Sequence, residues 1–312
     1  MKPEIAHETA HEIEQEIAPA KVNVYLHVGP LRRDRLHELK SLFIFADGGD
    51  VISARHADRL SLTLTGPYAG ELAGEAAGNN LVLRAARSLQ RAAGVKAGAA
   101  LTLDKRLPVA AGIGGGSADA AATLRVLMKL WRVSLSAGPL RALAFSLGAD
   151  VPACLSWAPV LVSGAGERIR PGPRLPPLWV CLVNPRVAMP TGPVFRAFDA
   201  AERSPAAPAD PAFDALGAIA GVKALLGASR NDLQPFAIAR EPVIAHALGA
   251  LSQTAGALGA RMSGSGATIF SLYASGAAAT RAAQALRATG WWTMAAPVLG
   301  KRVLGGDESA MQ

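Results

Sequence analysis

Residues Leu107 to Ala122 read Leu-Pro-Val-Ala-Ala-Gly-Ile-Gly-Gly-Gly-Ser-Ala-Asp-Ala-Ala-Ala, and no other stretch constrains the chain as much. Four glycines fall within the five positions Gly112 to Gly116, so this turn can take positive φ and pass close to a ligand. An alternating, strand-like run, Leu101 to Asp104, precedes the turn, and a helical pattern through Lys129 follows it. Ser117 stands where a helix N-cap is expected. A glycine turn opening a helix presents free N–H groups at the positive end of the helix dipole, which suits a phosphate. A turn without a ligand would carry the entropic cost of four glycines with nothing to offset it.

Two common phosphate motifs are excluded. A P-loop ends in Gly-Lys-Ser/Thr, and no lysine follows Gly116. A dinucleotide fingerprint needs a third glycine where Ser117 stands.

The rest of the 312-residue chain suits two lobes sharing a cleft. Ala20 to Val28 alternates as a strand, with Lys21 and Asn23 on its polar face, roughly 6.6 Å apart at about 3.3 Å per residue. That pair can grip one polar ligand, or belong to a half-solvated strand. Leu42 to Ala46 and Ser61 to Thr65 read as further strands, and Asp47-Gly-Gly-Asp50 as a turn. Asn80 to Ala93 is amphipathic. Pro139 to Leu147 reads as a helix stopped by Gly148, and Asp150 follows in Gly-Ala-Asp-Val-Pro. Asp150 is a cap or turn residue unless it faces Lys21. A proline-rich connector, Pro171 to Pro177, separates a lobe at 18–170 from one at 171–312. In the second lobe, helices are expected over Phe213 to Leu226, Asp232 to Ala239 and Pro242 to Ala255. A second glycine turn, Met262 to Phe270, enters a β-branched strand.

Residues 1–17 read as a polar tail, and its His7, His11 and Glu12 as part of that tail rather than a metal site. The net charge of +8 is spread along the chain, apart from the cluster Arg32-Arg33-Asp-Arg35, and fits phosphorylated small molecules as well as nucleic acid, so charge alone decides nothing. Cys154 and Cys181 form neither a CxxC pair nor a disulfide framework. No apolar run approaches the ~20 residues of a membrane span. The expectation is a cytoplasmic protein with no nucleic-acid or membrane partner.

Pro108 to Ala118 resembles the second motif of the GHMP kinases, Pro-x-x-x-Gly-Leu-Gly-Ser-Ser-Ala, and Met262 to Phe270 is similar to their third. Ala18-Pro-Ala-Lys-Val-Asn-Val-Tyr-Leu26, Leu36 to Leu39, Gly148 to Pro152 and Pro190-Thr191 with Phe195 extend the likeness. They point to a branch of the family whose alcohol substrate carries a cytidyl diphosphate. The resemblance implies a two-lobed α+β fold with the active site in the cleft between lobes, using ATP and Mg²⁺. It implies Lys21 and Asp150 as catalytic residues. It places Pro108, Val109, Ala110, Ala111, Gly112, Ile113, Gly114, Gly115, Gly116, Ser117 and Ala118 around the triphosphate. Asn80, Leu81 and Lys105 fall on the adenine side. Asn23, Leu36, His37, Thr191 and Phe195 correspond to substrate positions, with His37 reading the cytosine edge and Phe195 stacking on it. No protein ligand to the metal is obvious, with Ser117 left as an open alternative. The family's second stacking ring, a tyrosine, is Leu36 here, and the second serine of the loop is Ala118.

Overall fold

The computed structural model describes residues 13–74, 78–201, 210–213 and 215–300. Two sheets organise them. The first contains β1 (Glu14–Leu31), β2 (His37–Ala57), β3 (Ser61–Thr65), β4 (Gly98–Asp104), β5 (Val160–Gly164) and β6 (Arg168–Pro171). Its order is β3-β4-β2-β5-β6, with β1 antiparallel to β2 over most of its length and only β3–β4 parallel. The second sheet is β10-β7-β9-β8, from β7 (Trp179–Asn184), β8 (Ala260–Met262), β9 (Ile269–Tyr273) and β10 (Trp292–Pro297).

Helices α1 (Ala69–Leu72), α2 (Leu81–Ala92), α3 (Gly115–Leu130), α4 (Ala137–Leu147) and α5 (Val151–Cys154) accompany the first sheet. Leu89 of α2 and Leu124 and Leu127 of α3 pack in one core with Leu101 and Leu103 of β4. The second sheet carries α6 (Thr191–Ala200), α7 (Ile219–Ala228), α8 (Gln234–Arg240), α9 (Val243–Ser252) and α10 (Gly276–Arg287). The two sheets share a further core. Val22 and Val24 of β1 and Ile44 of β2 pack with Val180 and Leu182 of β7 and Phe270 of β9. Hydrophobic burial therefore couples the lobes directly, and the cleft between them has a fixed floor.

Several elements differ from the sequence reading. β1 begins at Glu14, inside the expected tail, because Glu16 is buried and paired with Arg125 and Lys129 of α3. His7, His11 and Glu12 lie outside the described residues. Asp47 to Asp50 is no turn. It continues β2, and Gly49 passes so close to β1 that a Cβ would stand 1.9 Å from the Ala18 carbonyl oxygen. Ser117 is not the N-cap of α3; Gly114 is, at φ 64°, and Ser117 is the helix's third residue. Thr191 and Phe195 belong to α6, and Asp150 stands at the N-cap position of the short helix α5, where its side chain makes no capping bond. The helix expected from Phe213 starts only at Ile219. Among the described residues, no helix is long and apolar enough to cross a membrane.

Candidate active site

The cleft is a cavity of about 480 Å³ floored by β1, walled by the glycine loop on one side and α6 on the other. Three main-chain contacts hold the loop in shape. Lys21 N–H donates to the Ile113 carbonyl (2.9 Å), and Thr268 N–H to that of Ala111 (3.1 Å). The Ser263 hydroxyl donates to the Gly112 carbonyl (2.9 Å). Gly112 has φ 73°, and a Cβ there would meet the Ser263 carbonyl oxygen at 2.4 Å, so only glycine fits. The second glycine turn thus braces the first, and the loop's own amides are left for a ligand at the start of α3.

Lys21 and Asp150 meet across the cleft. The Lys21 ammonium is 2.8 Å from Asp150 Oδ2, and 4.2 Å from the centre of the Phe43 ring. The Lys21 side chain is buried, whereas Asp150 keeps 35% of its side chain exposed, so its carboxylate is open toward the cavity. Gly114 lies against Lys21, where a Cβ would approach its Cε at 3.1 Å. The lysine therefore sits between the carboxylate and the glycine loop.

Asn23, one register step along β1, donates from its side-chain amide to Ser41 (3.0 Å), and its main-chain N–H bonds Ser263 (3.1 Å). Its Oδ1 has no partner and is left to accept from a ligand. Thr191 bonds Ser265 at 2.9 Å, joining α6 to the second glycine turn. His37 and Phe195 stack with ring centres 5.3 Å apart. His37 Nδ1 lies 3.0 Å from the Gly29 carbonyl, which can only accept, so the proton is on Nδ1. Asp199 Oδ1 lies 3.0 Å from Nε2, so a carboxylate faces that nitrogen, and His37 itself does not line the cavity.

Not every expected residue reaches the cavity. Leu36 is 48% exposed and does not line it. Ile113 and Ala118 are buried in the core, where they shape the loop from behind. Asn80 caps α2 by accepting from Val82 N–H (2.9 Å), and with Leu81 borders the cavity. Lys105 borders it too, but it is not free to reach a base. Its ammonium is bound 2.6 Å from Asp50 and 2.7 Å from Asp119. Asp50 and Asp119 were missed by sequence reading, one hidden in an apparent turn and the other in an alanine-rich helix.

The pattern of the GHMP kinases N terminal domain matches residues 80–156, and that of the GHMP kinases C terminal domain matches 211–290. The 4-diphosphocytidyl-2-C-methyl-D-erythritol kinase of Paramagnetospirillum magneticum is 50% identical over 284 residues, covering 90% of this chain and 97% of its own. The chain belongs to the GHMP kinases, in that branch. The enzyme of the same name from Hyphomonas neptunium is also 50% identical, covering 89% of this chain and 94% of its own. A crystal structure of 4-(cytidine 5'-diphospho)-2C-methyl-D-erythritol kinase superimposes with TM-score 0.75 at 34% identity, over 92% of this chain and 99% of that one. Homoserine kinase from Cytophaga hutchinsonii shares the fold, with TM-score 0.68 at 20% identity, over 96% of this chain and 98% of its own. This GHMP kinase is a small-molecule kinase that uses ATP.

Proposed function

We propose that this kinase transfers the γ-phosphoryl group of ATP to the 2-hydroxyl of 4-diphosphocytidyl-2-C-methyl-D-erythritol, in the non-mevalonate route to isoprenoid precursors. The observation that carries the chemistry is the Lys21–Asp150 pair set beside a braced glycine loop. The identity to relatives of that name carries the substrate.

A tertiary alcohol is a weak nucleophile, so a base must take its proton as the bond to phosphorus forms. Asp150 fills this role, since its carboxylate is part-exposed to the cavity. Lys21 orients Asp150 and stabilises charge on the attacking oxygen and the moving phosphoryl group. The amides of Gly114 to Ser117 hold the phosphates at the dipole end of α3.

Mg²⁺ would neutralise charge between the β- and γ-phosphates. Among the described residues, no group of three or more His, Cys, Asp or Glu gathers as a cage. That donor set fits an ion held mainly by the nucleotide phosphates and water, the usual manner of Mg²⁺. The chain's own part is to place those phosphates.

At the other end of the cleft, Phe195 offers a ring face to cytosine. His37 stacks behind Phe195 and sets the tilt of that ring, while Asn23 Oδ1 can accept from a hydroxyl. The test is ATP consumption by the purified enzyme with the cytidyl alcohol and with 2-C-methyl-D-erythritol 4-phosphate, which lacks the cytidyl group. Turnover with the first alone is expected. Equal turnover with both would remove the base from recognition.

A further inference from the structure

Beneath the glycine loop lies a charge cluster that the phosphoryl-transfer chemistry does not use. Asp50, Lys105 and Asp119 come from β2, the exit of β4 and α3, and all three are buried. Asp50 is fully satisfied. Its Oδ1 accepts from the main-chain N–H groups of Arg106 (2.6 Å) and Leu107 (2.8 Å), and its Oδ2 from Lys105 (2.6 Å). Asp119 Oδ2 accepts from Lys105 at 2.7 Å, but its Oδ1 has no partner. One ammonium thus faces two carboxylates, and only one of these has the hydrogen bonds of a buried anion. The cluster adjoins the loop directly, since a Cβ on Gly115 would stand 3.1 Å from the Lys105 ammonium and 3.7 Å from Asp50 Oδ2.

If both carboxylates were ionised, the floor under the loop would carry a net negative charge, opposing a triphosphate in a site of low dielectric. We propose that Asp119 works as its neutral acid, so that ATP meets a charge-balanced floor, and that its ionisation weakens nucleotide binding. Burial is the first cause raising the Asp119 carboxyl, with Asp50 adding to it and Lys105 opposing, to about 8. Lys105 is itself held above its ordinary value despite burial, by Asp119 and then Asp50, and stays charged. The remaining group facing Asp119 is the Cys154 thiol of α5, which burial pushes up to about 12. Other charges on the elements packed against α3 include Arg87 of α2, which is half-buried, and Asp47, Arg55 and His56 of β2, which are exposed. Lys21 pairs with Asp150, Glu16 with Arg125 and Lys129, while Arg84 of α2 and Arg141 of α4 are exposed.

The inference rests on the loop holding ATP, and the experiment separates the two. Calorimetric titration with Mg-ATP, without alcohol substrate, is run on wild type and Asp119→Asn across neutral to alkaline pH. The magnesium complex of ATP, used as the titrant, is already ionised over that range. Wild-type affinity is expected to fall about tenfold between roughly pH 7 and 9.5, the effect of a one-unit shift on binding, and the variant's curve to stay flat. Parallel curves, or a flat wild-type curve, would overturn the proposal. Absence of ATP binding at every pH would instead remove the loop's assigned role. A second readout needs no variant. Infrared spectra of the wild-type protein should lose a protonated-carboxyl band as pH rises through the same range, and absence of that band at neutral pH also overturns the proposal.

Discussion

The Lys21 ammonium lies 2.8 Å from Asp150 Oδ2, although 129 positions of sequence separate them. β1 supplies the lysine from the cleft floor, and the cap of α5 supplies the aspartate from its edge. The pair leaves the carboxylate reachable and the ammonium shielded, as a base and its orienting cation require.

Replacing Asp150 with asparagine is expected to lower kcat by about 100- to 10,000-fold, the range for losing a general base. ATP affinity should change little, because the loop amides are untouched. Steady-state kinetics with calorimetric ATP binding checks both. A variant with most of its turnover would take the base role from Asp150.

Gly112→Ala should cripple the loop through two effects. The backbone sits at φ 73°, and the new Cβ would meet the Ser263 and Gly266 carbonyl oxygens at 2.4 and 2.7 Å. Left-handed strain alone costs about 1–2 kcal/mol, and main-chain atoms on both sides leave no room to relax. Equilibrium binding should show ATP affinity lost by far more than tenfold in protein that circular dichroism reports as folded. Normal ATP binding would show that this brace is dispensable.

Phe195→Ala should raise the KM for the cytidyl substrate by an amount worth about 1–3 kcal/mol, the scale of one base–aromatic stack. The KM for ATP should hold steady, since Phe195 lies on α6, opposite the glycine loop. Leu36→Tyr should alter neither constant, because Leu36 is half-exposed outside the cavity. A tighter substrate KM in that variant would show that the turn around Leu36 folds over the base.

Asp119 also sets a pH dependence of stability. Its carboxyl is raised in the folded protein to about 8, from 3.8, so the folded state keeps a proton that the unfolded chain loses. Stability from this group is full below the unfolded value, falls as pH rises between the two, and is level above the folded value. Thermal melts across that window should show Asp119→Asn falling less steeply than wild type. Parallel slopes would mean that the carboxyl is already ionised.

The glycine loop, its following helix and the alternation of β1 were all readable locally, because each depends on residues within a turn or two. Burial was less so. Lys21 and Asn23 looked half-solvated, yet Gly114 and Asp150 close over the lysine, and Ser263 of the second glycine turn over Asn23, all from distant parts of the chain. Asp50 read as turn chemistry because Gly48 and Gly49 precede it, whereas Gly49 serves the close approach of β2 to β1 and Gly48 lies against Met294 of β10. The helix cap moved from Ser117 to Gly114 because positive φ, not a side-chain acceptor, closes that turn. The Lys105 cluster was hidden for the same reason as the Lys21–Asp150 pair. Its charges come from separate strands and helices, and only the folded chain makes them neighbours.

The brace between the two glycine turns carries a consequence for synthesis on the ribosome. Ala111 and Gly112 accept hydrogen bonds from Thr268 and Ser263, which emerge about 150 residues later. The first sheet can assemble from the leading half of the chain, but the phosphate cradle takes its final shape only once Thr268 has left the exit tunnel. A nascent chain halted before Ser263 would lack both donors that brace the loop, and the face of β1 that the second sheet covers would still be bare. The first glycine loop is thus written early in the chain and finished late.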